Sequence, residues 1–117
     1  MDPRSALGAG GEAAAAAWYA ARGFRVEARN WRCRVGEIDL VVARGALLVI
    51  CEVKTRRGHA FGGGFEAVGW EKQRKLRQLA ELFLADRAIT PESVRFDVAS
   101  VTSAAHGWSV EVYEDAF

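Results

Sequence analysis

The sequence predicts an α/β fold of the mixed α+β kind, with one central sheet covered by helices. Two observations carry this: helix-forming segments near residues 5–22 and 70–87, and five strand-length runs between and after them, in the order α-β-β-β-α-β-β. A third is the charge placed inside the central hairpin from Gly36 to Arg56, where a two-sided apolar strand pair would have none.

In chain order, Ser5 to Arg22 holds the alanine run Ala13 to Ala17 followed by Trp18 and Tyr19, a strong helix former that Gly23 stops. Alanine at this density implies close packing on a sheet, with Trp18 and Tyr19 as anchors. Glu12, read alone, is a first-turn acid favoured by the helix dipole. Phe24 to Asn30 alternates apolar with charged and reads as a half-exposed strand. The following Asn30-Trp31-Arg32-Cys33-Arg34 reads as a basic loop. Trp31 there is either a ring that stacks a base while the arginines hold phosphates, or packing with a solubilising rim.

The hairpin comes next. A two-residue turn at Arg44-Gly45 pairs Ala43 with Ala46, Asp39 with Ile50 and Glu37 with Glu52. Alternation then projects Glu37, Asp39, Glu52 and Lys54 from one side, with Ile38, Leu40, Val42, Leu47, Val49, Cys51 and Val53 as core on the other. A one-residue slip would separate Asp39 from Glu52 and Lys54. Two carboxylates about 5 Å apart repel by roughly 3 kcal/mol at an effective dielectric near 20. Lys54 answers part of that, and a hard divalent cation such as Mg²⁺ or Mn²⁺ answers it better. An ordinary solvated Glu-x-Lys ion pair is the bland alternative, against which stands Asp39 at a strand position where Asp is disfavoured.

Thr55 to Phe65 is rich in glycine and reads as a loop leaving the carboxylate face, with Arg56 and Arg57 as phosphate ligands and His59 assigned no role. Trp70 to Arg87 is an amphipathic helix whose stripe is Leu76, Leu79, Ala80, Phe83 and Leu84. Its first turns cross back toward the carboxylates, bringing Gln73 and the cations Lys72 and Arg74 near them. A turn over 89–93 leads to strands at 94–101 and 108–113, in which no chemistry is read.

Composition sets the remaining bounds. With 117 residues, half of them hydrophobic, the chain is expected to form a single domain over 1–117 with one buried core. Neither a transmembrane run nor a signal-peptide pattern is read, so the expectation is a cytoplasmic protein with free thiols and no membrane partner. Net charge is only +1, yet residues 22–77 carry thirteen Lys and Arg against six Asp and Glu, a local +7, leaving −6 for the rest. A polyanion would approach the middle of the chain.

An Asp in one strand, Glu-x-Lys in the next, a Glu in the preceding helix and a polar residue in the following helix resemble the PD-(D/E)XK nuclease superfamily. More specifically, Gly8-x-x-Gly11-Glu12, Asn30-x-Arg32, Gly36-Glu37-Ile38-Asp39-Leu40, Glu52-Val53-Lys54-Thr55-Arg56, Phe61-Gly62 and Lys72-Gln73 resemble the YraN-like family of small bacterial proteins, over roughly residues 8 to 85. The resemblance implies a restriction-endonuclease-like αβββαβ core and a Mg²⁺-dependent nuclease acting on DNA, with branched or structured DNA as in Holliday-junction resolvases. It further implies that Asp39, Glu52 and the Val53 carbonyl hold the metal and that Glu12 completes the shell or binds a second ion. Lys54 would then orient water or stabilise developing charge, and Gln73 would position Lys54 or a phosphate. Junction cutting would call for a homodimer with two sites. The chain departs from common patterns in having no Pro before Asp39 and Gly69 where a capping Ser or Thr is expected. Two further readings are a nucleic-acid-binding module that does not cut, and a structural partner docking through Tyr113 to Phe117.

Overall fold

A computed structural model describes residues 3–58 and 68–117. Helix α1 (Pro3–Ala20) precedes strands β1 (Arg25–Arg32), β2 (Glu37–Arg44) and β3 (Leu47–Arg57), helix α2 (Trp70–Arg87), and strands β4 (Ser93–Ala104) and β5 (Gly107–Tyr113). The strands lie in one sheet in sequence order, β1-β2-β3-β4-β5. Every neighbouring pair is antiparallel except β3 and β4, which run parallel because α2 carries the chain back between them. This mixed sheet with two helices is consistent with the restriction-endonuclease-like core.

Both sheet faces are buried. α1 covers one with Ala15, Ala16 and Tyr19 against Leu40, Val42, Val49, Cys51, Ala99 and Val101. Small residues let it approach closely: a Cβ on Gly11 would collide with the Thr55 side chain, and one on Gly10 with Trp108. α2 covers the other face, laying Leu76, Leu79, Ala80 and Phe83 on Val41, Ala43, Leu48, Ile50, Phe96 and Val98. The apolar half of the Asp39 face is therefore core as well, and only its far end is polar.

The hairpin turns at Gly45-Ala46 instead of Arg44-Gly45, pairing Arg44 with Leu47, Ala43 with Leu48 and Leu40 with Cys51. Gly45 has φ +59 and so takes the first turn position, where a II′ hairpin turn demands glycine. The shift from the expected register is two residues, which preserves every face. One step beyond the last pair, Asp39 comes opposite Glu52 rather than Ile50.

The ladder is irregular at that step. Asn30 has φ +51, and both it and Asp39 fall between the paired positions Arg29–Leu40 and Trp31–Ile38. Ile38 consequently joins the α2-side cluster while Leu40 stays on the α1 side, against the strict alternation expected of β2.

Several boundaries also differ. β1 continues to Arg32, so Trp31 is a strand residue, and its ring packs edge-on against Phe83 at 5.4 Å. Packing, not an open loop, accounts for that aromatic. β3 continues to Arg57, so Thr55, Arg56 and Arg57 pair with Val101, Thr102 and Ser103 rather than entering a loop. His59 and the Phe61-Gly62 motif lie outside the described residues. Ala116 and Phe117 are half-buried against the α2-side core, with Phe117 stacked on Phe96 at 5.3 Å. Among the described residues no helix is long and apolar enough to cross a membrane.

Candidate metal and nucleic-acid site

Parallel pairing fixes which way the β3 side chains point. Glu52 is opposite Val98, an α2-side core residue, so Glu52 and, two residues on, Lys54 face α2. Glu52 is 9% exposed and its carboxylate meets the Lys72 ammonium at 3.5 Å, joining β3 to the first turn of α2. Lys54 is half-buried on the same face.

Asp39 sits at the β2 irregularity, half-buried, and its Oδ2 accepts the backbone N–H of Val53 at 2.8 Å. That bond replaces a ladder bond and fixes the Val53 peptide against the carboxylate. Burial first, and the neighbouring Glu52 carboxylate second, push the Asp39 carboxyl up to about 6; the Val53 bond and the Lys72 ammonium pull the other way.

Glu12 comes from α1, on the opposite sheet face. It accepts a hydrogen bond from the Asn30 side-chain amide at 2.6 Å. Its carboxyl is raised by burial and by Asp39, and lowered by the Asn30 bond. Glu52 and, more weakly, Glu37 raise Asp39, and Asp39 in turn raises Glu12 on the other side of the sheet. Glu37 is also paired with Arg32 at 3.0 Å.

The other candidate residues are dispersed around this centre. Gln73 donates from Nε2 to the Val68 carbonyl at 2.8 Å, tying down the segment before α2 rather than reaching Lys54. Arg32 stands between two clefts. One of about 490 Å³ is lined by Cys33, Glu37, Lys72 and Lys75 among others, and one of about 310 Å³ by Glu12 and Asn30. Asp39 and Glu52 line neither cleft; Lys72 links them to the larger one. Arg74 is exposed on α2 beside Trp70, Arg57 is exposed at the end of β3, and Arg56 is half-buried opposite Thr102.

Among the described residues no group of three or more His, Cys, Asp or Glu is gathered closely enough to hold a metal. A three-acid shell that includes Glu12 therefore does not fit this arrangement. Two carboxylates from adjacent strands do fit Mg²⁺ or Mn²⁺, since Mg²⁺ is commonly held by one or two carboxylates, with waters and substrate phosphate oxygens filling the rest.

Lys72 meets Glu52 as the crossing of α2 implies, while two features lie beyond what the sequence pattern shows. Asn30 holds Glu12, for which a signal exists, since Asn is enriched in the left-handed conformation that Asn30 adopts. The second is a buried network on β4. Asp97, with no exposed surface, accepts from the Tyr19 hydroxyl at 2.6 Å, from Arg95 at 2.8 and 2.9 Å, and from the Asp115 N–H at 3.0 Å. Arg95-x-Asp97, opposite charges two apart on one strand face, was the available signal.

The model of the uncharacterised protein family UPF0102 matches residues 11–101. A UPF0102 protein of Frankia alni is 50% identical over 102 residues, covering 87% of this chain and 85% of that protein. One from Symbiobacterium thermophilum is 48% identical, covering 86% of each. One from Rhodococcus jostii is 46% identical over the whole of both chains. The matched span runs from Gly11 through Glu12, the hairpin carboxylates and α2, and on this basis the chain belongs to the UPF0102, or YraN-like, family.

Proposed function

We propose that this chain is a Mg²⁺- or Mn²⁺-dependent nuclease that hydrolyses phosphodiester bonds in DNA, with branched or structured DNA as the preferred form. The observation that supports it most is the Asp39 carboxylate held on the Val53 N–H at 2.8 Å and raised by the neighbouring Glu52 carboxylate, with Lys54 two residues farther along the Glu52 face. A buried carboxyl raised to about 6 is costly to keep in a fold, and such groups concentrate at functional sites.

In this reading Asp39 and Glu52 hold the ion together with the Val53 carbonyl. When bound, a divalent ion polarises a phosphoryl oxygen and lowers the pKa of a coordinated water. Lys54 orients the attacking water and stabilises charge that develops on the phosphorus-bound oxygens. Glu12, held by Asn30, stands close enough to Asp39 for the Asp39 charge to raise its own carboxyl, which places a further acid beside the site. Arg32 and Lys72 hold flanking phosphates from the larger cleft, and Arg56, Arg57 and Arg74 extend the basic surface.

The test is incubation of end-labelled single strands, duplexes, flaps and four-way junctions with Mn²⁺, wild type beside Lys54→Ala. Cleavage by wild type that falls by roughly a hundredfold or more in the variant is expected. Absence of cleavage on every substrate, or equal cleavage by the variant, refutes the proposal. A second reading, a module that binds nucleic acid without cutting it, is favoured by the Lys72 ammonium already compensating Glu52. It expects salt-sensitive binding that needs no metal.

A further inference from the structure

We propose that Trp70 is a base-stacking platform, and that the nucleic acid entering the site carries an unpaired base next to the phosphate track. This rests on the proposed nucleic-acid reading and adds the form of strand bound. Trp70 is 66% exposed, the most exposed of the large apolar side chains among the described residues, and it belongs to neither core cluster. Its indole does not stabilise the fold by burial. The Arg74 guanidinium lies over the ring at 4.9 Å, one turn farther along α2.

A cleft of about 480 Å³ opens there, lined by Trp70, Glu71, Arg74, Lys75 and Gln78. Lys75 also lines the 490 Å³ cleft, whose Lys72 pairs with Glu52. The two clefts share Lys75, so the exposed indole, Lys72, Arg74 and Lys75 follow one another on α2, and Lys72 meets Glu52. An aromatic face followed by cations is the arrangement that holds a single strand: the ring stacks a base without regard to sequence while the cations follow the phosphates. A paired base in a duplex has both faces covered by its neighbours and cannot use such a ring, so the surface selects single-stranded or locally unpaired segments. The Trp31 ring, the other aromatic among basic residues, is packed on Phe83 and unavailable for this.

The test is fluorescence anisotropy in EDTA, so that binding is measured without cleavage, using an oligothymidylate of about a dozen residues and a blunt duplex of equal length. Wild type is expected to bind the single strand more tightly. Trp70→Ala should weaken single-strand binding by roughly five- to a hundredfold with duplex binding nearly unchanged, and Trp70→Tyr should recover most of the loss. Tryptophan fluorescence should be quenched by the oligomer in wild type and much less in Trp70→Tyr. Equal affinity of wild type and Trp70→Ala for the single strand, or an equal loss on the duplex, overturns the platform: Trp70 and Arg74 are then a helix-surface pair only. That result leaves the nuclease reading standing if Asp39-dependent cleavage persists. Wild type that binds neither strand form overturns both.

Discussion

Replacing Asp39 with Asn should make the metal-free protein more stable at neutral pH. The fold holds this carboxyl at about 6 against an ordinary value of 3.8, a difference of about two units or about 3 kcal/mol. Well below pH about 4 the group is protonated in folded and unfolded chains alike and nothing is lost; at pH about 4 only the first small part of the penalty is present. As pH rises from about 4 to about 6, the unfolded chain releases its proton first, so stability declines; above about 6 the whole penalty is present. Asn removes the charge, the burial cost of ionisation and the repulsion from Glu52, while its side-chain oxygen still accepts the Val53 N–H. Partial exposure of the site reduces the gain, so about 1–3 kcal/mol is expected at pH about 7.5 and only a small part of that at pH about 4. Urea denaturation followed by circular dichroism, in EDTA and across that pH range, measures it; EDTA is needed because a bound ion would stabilise the wild type. A variant less stable than wild type at neutral pH, or a gap that does not widen as pH rises, would refute the assignment of Asp39 as a strained buried acid.

Two further substitutions probe the framework. Asp97→Ala should cost about 3–5 kcal/mol by leaving the buried Tyr19 hydroxyl and the Asp115 N–H without their acceptor and Arg95 with Glu114 as its remaining carboxylate, read as a lower urea midpoint. Lys72→Ala should change stability by less than about 1 kcal/mol, because its ammonium is half in water. In a salt titration of DNA binding the same variant should lower the slope of log affinity against log salt by about 1.

Much of this arrangement is legible in the residues. A register displaced by two residues keeps Val41, Ala43, Leu48 and Ile50 on the expected common face, and Asp39, at the break in β2, still lies beside Glu52. The turn itself was misplaced because Arg44-Gly45 and Gly45-Ala46 both offer one glycine, and only backbone twist decides which position it occupies. The α2 helix was legible through its stripe, whose Leu76, Leu79, Ala80 and Phe83 are all buried. Glycines at 58 and 62–64 suggested a loop from Thr55 onward, but β4 offers a parallel partner as far as Ser103, and tertiary pairing extends β3 to Arg57. What no local pattern conveys is the irregularity at Asn30 and Asp39, which turns Ile38 to the other face and brings Asp39 near Glu12 on the far side of the sheet. That Lys72 comes near the carboxylates follows from the crossing of α2 over the sheet end, but which carboxylate it pairs with does not.

The most direct measurement is a calorimetric titration of the protein with Mn²⁺ at neutral pH, beside Asp39→Asn and Glu52→Gln. Saturable binding by wild type that is lost in both variants is the expected result, with affinity falling as pH drops below about 6 because protons then compete for Asp39. A wild type that takes up no Mn²⁺, or variants that bind it as wild type does, would contradict a metal held between these two strands.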